Sequence, residues 1–412
     1  MKRLTRRTIL AAAPAALALG GATLFARPAR AAKQYGPGVT DSEIKIGNTG
    51  PYSGPYASAS AIPLSMAAYY KMINDQGGVN GRKIKFISYD DSYSPPKTVE
   101  MTRKLVEDDN VLFIEGAVGT PTNTAVWRYM NEHKVPQLML FTGASKWDDP
   151  KGHPWTMGFL VSYRGEGQIY AGYILKHKPD GKVGILYQND DFGKDYLNGV
   201  LEGLGDKAAA MVKIKASYET TDPTVDSQIV SMKAAGCDVM VMIALPKFAA
   251  QAIRKAAEIK WKPLRILIGG TASVGETMKP AGFENGQGVI SDNSFKDPTD
   301  PEWKDDPGYK WWVSFMDKYD PHGDKTDIYN AWGPSNAATV VQVLKQCGDD
   351  LTRENVMKQA ANLHHLELPM LLPGITVNTS PSDFVAIDQV QMERFEGERF
   401  HRFGPILSSA VG

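Results

Sequence analysis

The sequence predicts an α/β fold of two doubly wound, Rossmann-like lobes. Short apolar runs of strand type alternate with segments of helical period that carry recognisable caps, the pattern of parallel strands joined by crossover helices. At 412 residues the chain exceeds what one hydrophobic core usually supports. The strand–helix rhythm also starts afresh after Phe159, so the two halves read as two copies of one architecture. No short internal repeat is visible, which sets aside a solenoid.

Residues 1–31 stand apart from this rhythm. Lys2, Arg3, Arg6 and Arg7 precede a weakly apolar run, 9–26, and Ala29-Arg30-Ala31 supplies a small-residue cleavage site, the layout of a signal peptide. Thr5-Arg6-Arg7-Thr8-Ile9-Leu10 holds the paired arginines of a twin-arginine signal. Pro14, Gly20 and Gly21 weigh against a membrane anchor, which needs about 18 apolar residues. With no cysteine before Cys237, a lipid-attached form is set aside. The expectation is an exported, soluble, periplasmic chain that is not membrane-anchored after cleavage. Without residues 1–31 it carries 40 basic against 46 acidic residues, a net charge of −6, which speaks against nucleic acid as a partner.

The first strand, from Glu43 to Gly50, runs into a loop containing Tyr52-Ser53-Gly54-Pro55-Tyr56. A loop at the carboxyl end of a parallel strand sits where open α/β sheets gather ligands, and the helix after it offers unpaired N–H groups to an anion. Taken alone, the segment also fits an ordinary strand-to-helix turn. The helix that follows places Ile62, Met66, Tyr69, Tyr70 and Ile73 at helical spacing, carries Pro63 in its first turn and stops at Gly77-Gly78. Strands follow at 84–89, 111–115 and 137–141, with a helix opened by Ser94-Pro95-Pro96 and running to about residue 108.

The second series predicts a helix near 166–178, a strand at 183–187 and a helix after Phe192. Strands at 212–216, 239–243 and 265–268 then alternate with helices near 224–235 and 247–260. Past residue 290 the chain becomes rich in Asp and Pro, and two longer helices, near 309–319 and 328–346, return it to the first lobe. A late crossing near Pro373-Gly374-Ile375 carries it back. The expected domains are lobe 1, residues 32–162 and 291–372, and lobe 2, residues 163–290 and 373–412.

Catalytic chemistry was sought in the sequence and is poorly represented. His-Glu-x-x-His, Gly-x-Ser-x-Gly and the Gly-x-x-x-x-Gly-Lys phosphate loop are absent. Adjacent residues on a helix do not face one site, so His364-His365 reads as surface. Asp297, Asp300, Asp305 and Asp306 are interrupted by prolines and lack the spacing of a calcium loop. Asp190-Asp191 reads as a helix cap. Cys237 and Cys347 both read as buried free thiols, so no disulfide is expected, and neither is a metal or a cofactor. Tyr52, Tyr56, Phe192, Tyr329 and Trp332 fall near predicted loop ends, where they line a binding cleft as readily as a core.

Several segments in order resemble the branched-chain amino-acid-type, leucine-binding-protein-like solute-binding proteins of ABC transporters. They are Ser53-Gly54-Pro55, Ile73-Asn74 with Gly77-Gly78-Val79-Asn80-Gly81-Arg82, Asp90-Asp91 before Pro96-Lys97, and Gly143-Ala144-Ser145. Asp190-Asp191-Phe192-Gly193, Tyr218 with Thr221-Asp222-Pro223-Thr224, and Tyr329-Asn330-Ala331 complete the series. The resemblance covers nearly the whole chain after residue 31. It implies the periplasmic binding protein type I fold: two lobes joined by three crossings, a monomer without catalysis that closes on a small molecule and delivers it to an ABC transporter permease.

By the same resemblance, Gly119 with Thr120, and Gly143-Ala144-Ser145, match first-lobe loops whose hydroxyls and N–H groups hold a ligand carboxylate. Tyr52 with Ser53, Phe192 and Tyr329 match positions that wall the pocket, and Leu245 and Thr271 fall on the facing second-lobe loops. Two departures bear on the ligand. Amino-acid binders of this family pair the ligand ammonium with a glutamate in the loop that here reads Gly269-Gly270-Thr271-Ala272-Ser273-Val274-Gly275, with no acid before Glu276. The tyrosine-rich loop before it has become Ala244-Leu245-Pro246-Lys247-Phe248. An ammonium buried without a counter-charge costs several kcal/mol, so the expected ligand is an aromatic or aliphatic acid. A branched-chain-type amino acid stays open, because Asp190, Asp191 or Glu276 are left to supply the charge. Relatives' first-lobe disulfide lacks its cysteines, with Tyr93 and Gly119 in their places. An exported ligand sensor feeding a membrane receptor and an exported cofactor enzyme are the alternatives.

Overall fold

The computed structural model describes residues 33–409, so the signal peptide expected at 1–31 lies outside the described residues. After a short strand β1 (Gln34–Tyr35), the chain alternates β2 (Glu43–Gly50), α1 (Ala61–Asp75), β3 (Lys83–Asp90), α2 (Pro95–Arg103), β4 (Phe113–Glu115), α3 (Thr120–Glu132), β5 (Gln137–Leu140) and β6 (Thr156–Gly158). The five strands from β2 onward form one parallel sheet in the order β3-β2-β4-β5-β6. Apolar side chains occupy both faces: Ile44 and Ile46 of β2 and Phe113 of β4 are buried on one, and Ile114 of β4 is buried on the other with Leu105 and Val111. Such two-sided burial is what an all-parallel sheet requires.

The second series runs α4 (Tyr163–His177), β7 (Val183–Gln188), α5 (Asp191–Leu204), α6 (Ala208–Met211), β8 (Val212–Tyr218), α7 (Asp226–Ala234), β9 (Val239–Ile243), α8 (Pro246–Glu258), β10 (Leu264–Leu267), α9 (Lys279–Ala281), α10 (Phe283–Gly286) and β11 (Ile290–Asn293). Then come α11 (Pro307–Tyr319), α12 (Tyr329–Cys347), β12 (Asp350–Leu351), α13 (Arg353–Ala360) and a hairpin of β13 (Gln389–Glu396) and β14 (Arg399–Ser408). The second sheet has seven strands in the order β14-β13-β11-β10-β9-β7-β8, with β13 and β14 antiparallel on one edge. Strand β11 prolongs this sheet to Asn293, past the break expected at residue 290. The hairpin was not anticipated; Val390, Met392, Phe395 and Phe400 bury its inner face. Cys237 and Cys347 are both buried and free.

Helix α12 returns the chain to the first lobe and packs along α1 at close range. A methyl group on Gly333 would stand 2.1 Å from Ser65 Oγ and 2.5 Å from the Ile62 carbonyl, which explains a glycine inside a helix. Pro334 follows it and removes the N–H that would have bonded the Asn330 carbonyl one turn back. That carbonyl is not orphaned, because Trp312 of α11 donates its indole Nε1–H to it at 2.9 Å. The chain passes between the sheets three times: between β6 and α4, after β11, and before β13.

Candidate functional site

Both sheets place their first strand between the second and the third, β2 between β3 and β4 and β7 between β8 and β9. The chain direction of winding reverses there, and in open α/β sheets the crevice at the carboxyl ends of such strands collects ligands. The loops leaving β2, β4 and β5 in one lobe, and β7, β9 and β10 in the other, meet around a narrow cavity in which about 30 Å³ admits the centre of a water-sized group. Its wall includes Tyr56, Tyr93, Gly119, Thr120 and Phe141 from the first lobe. Tyr163, Phe192, Leu245, Gly270 and Thr271 close it from the second-lobe side, and Trp332 of α12 contributes as well. No charged side chain lines it.

Five residues picked from sequence therefore come together here: Gly119, Thr120, Phe192, Leu245 and Thr271. Gly119 caps α3 at φ 102°, and a Cβ on it would lie 2.4 Å from the Tyr93 ring. Tyr93 and Gly119 are thus in contact, as their shared place in the resemblance implies. Thr120 opens α3, with its Oγ1 2.8 Å from Thr142 Oγ1. Thr142 Oγ1 also accepts the Ala144 N–H at 3.1 Å, and within the Thr120–Thr142 pair either hydroxyl can be the donor. Asp190 caps α5, accepting from the N–H groups of Phe192 and Gly193 at 3.0 and 3.3 Å, and so sets Phe192 at the cavity.

The other sequence candidates lie elsewhere. Tyr52 is bonded to Ser88 Oγ at 2.7 Å, and Ser53 to Asp90 and Ser92, on the outer side of their loop. Tyr329 stands one layer behind the wall. Its hydroxyl lies 2.9 Å from that of Tyr56 and donates to the Gly270 carbonyl at 3.2 Å. Gly143 leaves room for the chain beside it: a Cβ there would fall 1.9 Å from the Val161 carbonyl and 2.8 Å from the Tyr163 ring. Ala144 is buried against Trp147 and Tyr163 in the same cluster as Phe192. Ser145 spends its donors within the protein, its N–H on Asp195 Oδ2 and its Oγ on Asp195 Oδ1, both at 2.7 Å. Asp195 belongs to α5, so this pair ties the first lobe to the second.

The matched family model is that of the periplasmic binding proteins and spans residues 43–393. The chain belongs to this family. Leu/Ile/Val-binding protein homolog 7 of Brucella abortus is 25% identical over 271 residues, 63% of this chain and 66% of the relative. The leucine-specific-binding protein of Salmonella typhimurium is 27% identical over 40% of this chain and 45% of its own length. These matched stretches therefore cover two thirds or less of the curated relatives. Among solved structures, a branched-chain amino acid ABC transporter protein from Thermus thermophilus with bound valine superposes with a TM-score of 0.80 at 16% identity, covering 90% of this chain and 98% of that one. A fatty acid ABC transporter substrate-binding protein from Thermomonospora curvata gives 0.75 at 21% identity, covering 92% and 95%. These likenesses carry the fold, two-lobed periplasmic binding protein type I.

In this binding protein the acids that sequence left available for an ammonium are engaged or distant. Asp190 is the α5 cap, Asp191 pairs with Lys146 at 2.8 Å, and Glu276 is absent from the cavity wall. Burial raises the Tyr56, Tyr93 and Tyr163 hydroxyls above their ordinary range, so each stays neutral in the cavity. Tyr93 and Tyr163 went unrecognised in the sequence because neither sits on a predicted ligand loop. Tyr163 follows Ser162 at the start of α4, and that helix-start position was the available signal. Among the described residues no group of three or more His, Cys, Asp or Glu side chains is arranged to hold a metal, and no helix is long and apolar enough to cross a membrane.

Proposed function

We propose that the chain is the periplasmic substrate-binding protein of an ABC importer, a monomer that captures a small, largely apolar carboxylate-bearing ligand and hands it to the permease. One observation carries the ligand class: an aromatic, uncharged cavity with the Thr120 hydroxyl and the start of α3 on its wall and no acid to meet an ammonium. The Thr120 hydroxyl rotates to donate to an anion while accepting from Thr142, and the helix N-terminus adds a favourable field. The rest of the wall offers rings and aliphatic side chains to the body of the ligand. The relatives named for leucine and fatty acid binding support a role in transport of this kind.

The test uses the chain from Ala32, measured by titration calorimetry and thermal shift against amino acids and matched aromatic and aliphatic acids. Acids are expected to bind and stabilise. Binding of leucine-like amino acids without any simple acid would refute the assignment. Thr120→Val keeps the shape and deletes one donor to a charged group, worth about 1.5–3 kcal/mol, so affinity should fall roughly 10- to 150-fold. Unchanged affinity would remove Thr120 from the site.

A further inference from the structure

A second chamber adjoins the cavity. The two share Leu160, Tyr163, Gly270 and Trp332, and the second adds Glu166, Asp292 and residues of all three passages between the lobes, from Val161 to Ile387. Of its roughly 360 Å³ of free space, about 30 Å³ admits the centre of a water-sized group, room for about two waters or a group of that size.

Two polar atoms on its wall lack partners. Among the described residues, buried Trp332 Nε1 has no acceptor and buried Asp292 Oδ2 has no donor. A hydrogen-bonded cluster holds the other oxygen of Asp292 and the Glu166 carboxyl. Tyr170 Oη lies 2.7 Å from Asp292 Oδ1 and 3.0 Å from Glu166 Oε1 while accepting the Gly269 N–H at 2.9 Å. Tyr196 donates to Glu166 Oε2 at 2.9 Å. Burial lifts both Glu166 and Asp292 above their ordinary range, Glu166 the further, so the two carboxyls hold a proton between them at neutral pH.

We propose that this chamber is a hydroxyl-binding subsite, and that the ligand is an acid whose far end carries a hydroxyl accepting from Trp332 Nε1–H and donating to Asp292 Oδ2. A hydroxyl both donates and accepts, so it satisfies the two orphan atoms together. An ammonium would meet Asp292 and leave the indole N–H unpaired. A hydrocarbon end would leave both unpaired, and buried unpaired groups are what a polar subsite rejects most strongly. This subsite rests on the carboxylate-ligand function proposed above and specifies its substrate class.

The test compares pairs of acids that differ only at the far end, by titration calorimetry on the chain from Ala32: 3-phenylpropanoate against 3-(4-hydroxyphenyl)propanoate, and hexanoate against 6-hydroxyhexanoate and 6-aminohexanoate. In at least one pair the hydroxy acid should bind at least about 10-fold tighter than its plain counterpart. Trp332→Phe, which keeps the ring and deletes the N–H, should erase most of that advantage, and Asp292→Asn should reduce it. Plain and hydroxy acids binding within about twofold in both pairs, or the amino acid counterpart binding tightest, overturns the subsite while leaving the carboxylate function standing. Failure of every acid to bind overturns both. If either variant fails to fold, the ratios on the unaltered chain decide.

Discussion

Replacing Asp195 with asparagine separates two roles for Ser145 by the sign of the effect. In this structure the Asp195 carboxylate receives both donors of Ser145 at 2.7 Å, across the lobes. Asp195 is largely buried and desolvation raises its carboxyl above the ordinary range, so part of the gain from the two bonds offsets that cost. Hydrogen bonds to a charged group contribute about 1.5–3 kcal/mol net. Asparagine keeps one acceptor oxygen and turns an NH₂ toward the other donor, so the closed form should lose about 1.5–3 kcal/mol, or roughly 10- to 150-fold in the closure equilibrium. On the proposed function, ligand binds the form with the lobes joined, and apparent affinity scales with the population of that form. Asp195→Asn should therefore weaken binding by up to that factor, and small-angle scattering of the ligand-free variant should show a larger radius than the parent. If the Ser145 donors instead serve the ligand and Asp195 merely competes for them, Asp195→Asn should tighten binding while Ser145→Ala weakens it. Tighter binding in Asp195→Asn would refute the latch.

Gly333→Ala should destabilise the fold by about 1–3 kcal/mol or more, read as a lower denaturation midpoint, since the added methyl meets Ser65 Oγ at 2.1 Å and forces α12 away from α1. Phe192→Ala should cost the fold about 3–5 kcal/mol if the site cannot collapse and should weaken every ligand, because the ring is buried, edge-on to Tyr163 and on the cavity wall. Fully buried Glu115, bonded by Tyr70 Oη, is raised by desolvation from 4.5 to about 8. Folding thus takes up a proton between those values, so stability from this group is complete below pH ~4.5 and is lost as pH rises toward 8, by several kcal/mol in all. Denaturation of Glu115→Gln beside the parent from pH 5 to 8 checks this; parallel pH profiles would contradict it.

Much of the fold was legible because strands such as 239–243 are continuous apolar runs flanked by Asp238 and Pro246, and because caps such as Ser94-Pro95 mark helix starts. The α/β order then located the ligand loops, which is why Gly119, Thr120, Phe192, Leu245 and Thr271 converge. The misplacements have a common physical cause. Tyr52 and Ser53 are on the right loop, yet Gly54 at φ 86° packs against the Ser92 carbonyl and turns them outward, presenting Tyr56 instead. Ser145 was legible as a donor but its acceptor was not, because Asp195 is fifty residues away in sequence on the other lobe. The β13–β14 hairpin did leave a trace in Glu396-Gly397-Glu398 between alternating segments, with Gly397 at φ 66°, a turn signal of the kind that marks hairpins.

Closure and recognition are carried by different groups, and this separates affinity from specificity. The contacts that join the lobes include side chains outside the uncharged cavity wall or behind it: Ser145 with Asp195, Lys146 with Asp191 at 2.8 Å, Ser273 Oγ donating to Asp327 at 3.3 Å, and Tyr329 Oη on the Gly270 carbonyl at 3.2 Å. None of these requires a ligand, so they bias the closed form by an amount independent of what is bound, and a ligand adds only its own difference in affinity between open and closed forms. Asp327 is held at about 8 by burial with Glu276 nearby; protonated below that, it faces Ser273 without an uncompensated charge, and raising pH through 8 loads a buried anion onto the closed interface. Affinity for every ligand should therefore fall together as pH rises from the ordinary carboxylate range toward 8 and level off above it, whereas changes at Thr120 reorder the ligands by their acidic group. A common pH dependence across chemically different ligands, abolished in Asp327→Asn, is the signature of the first kind of control.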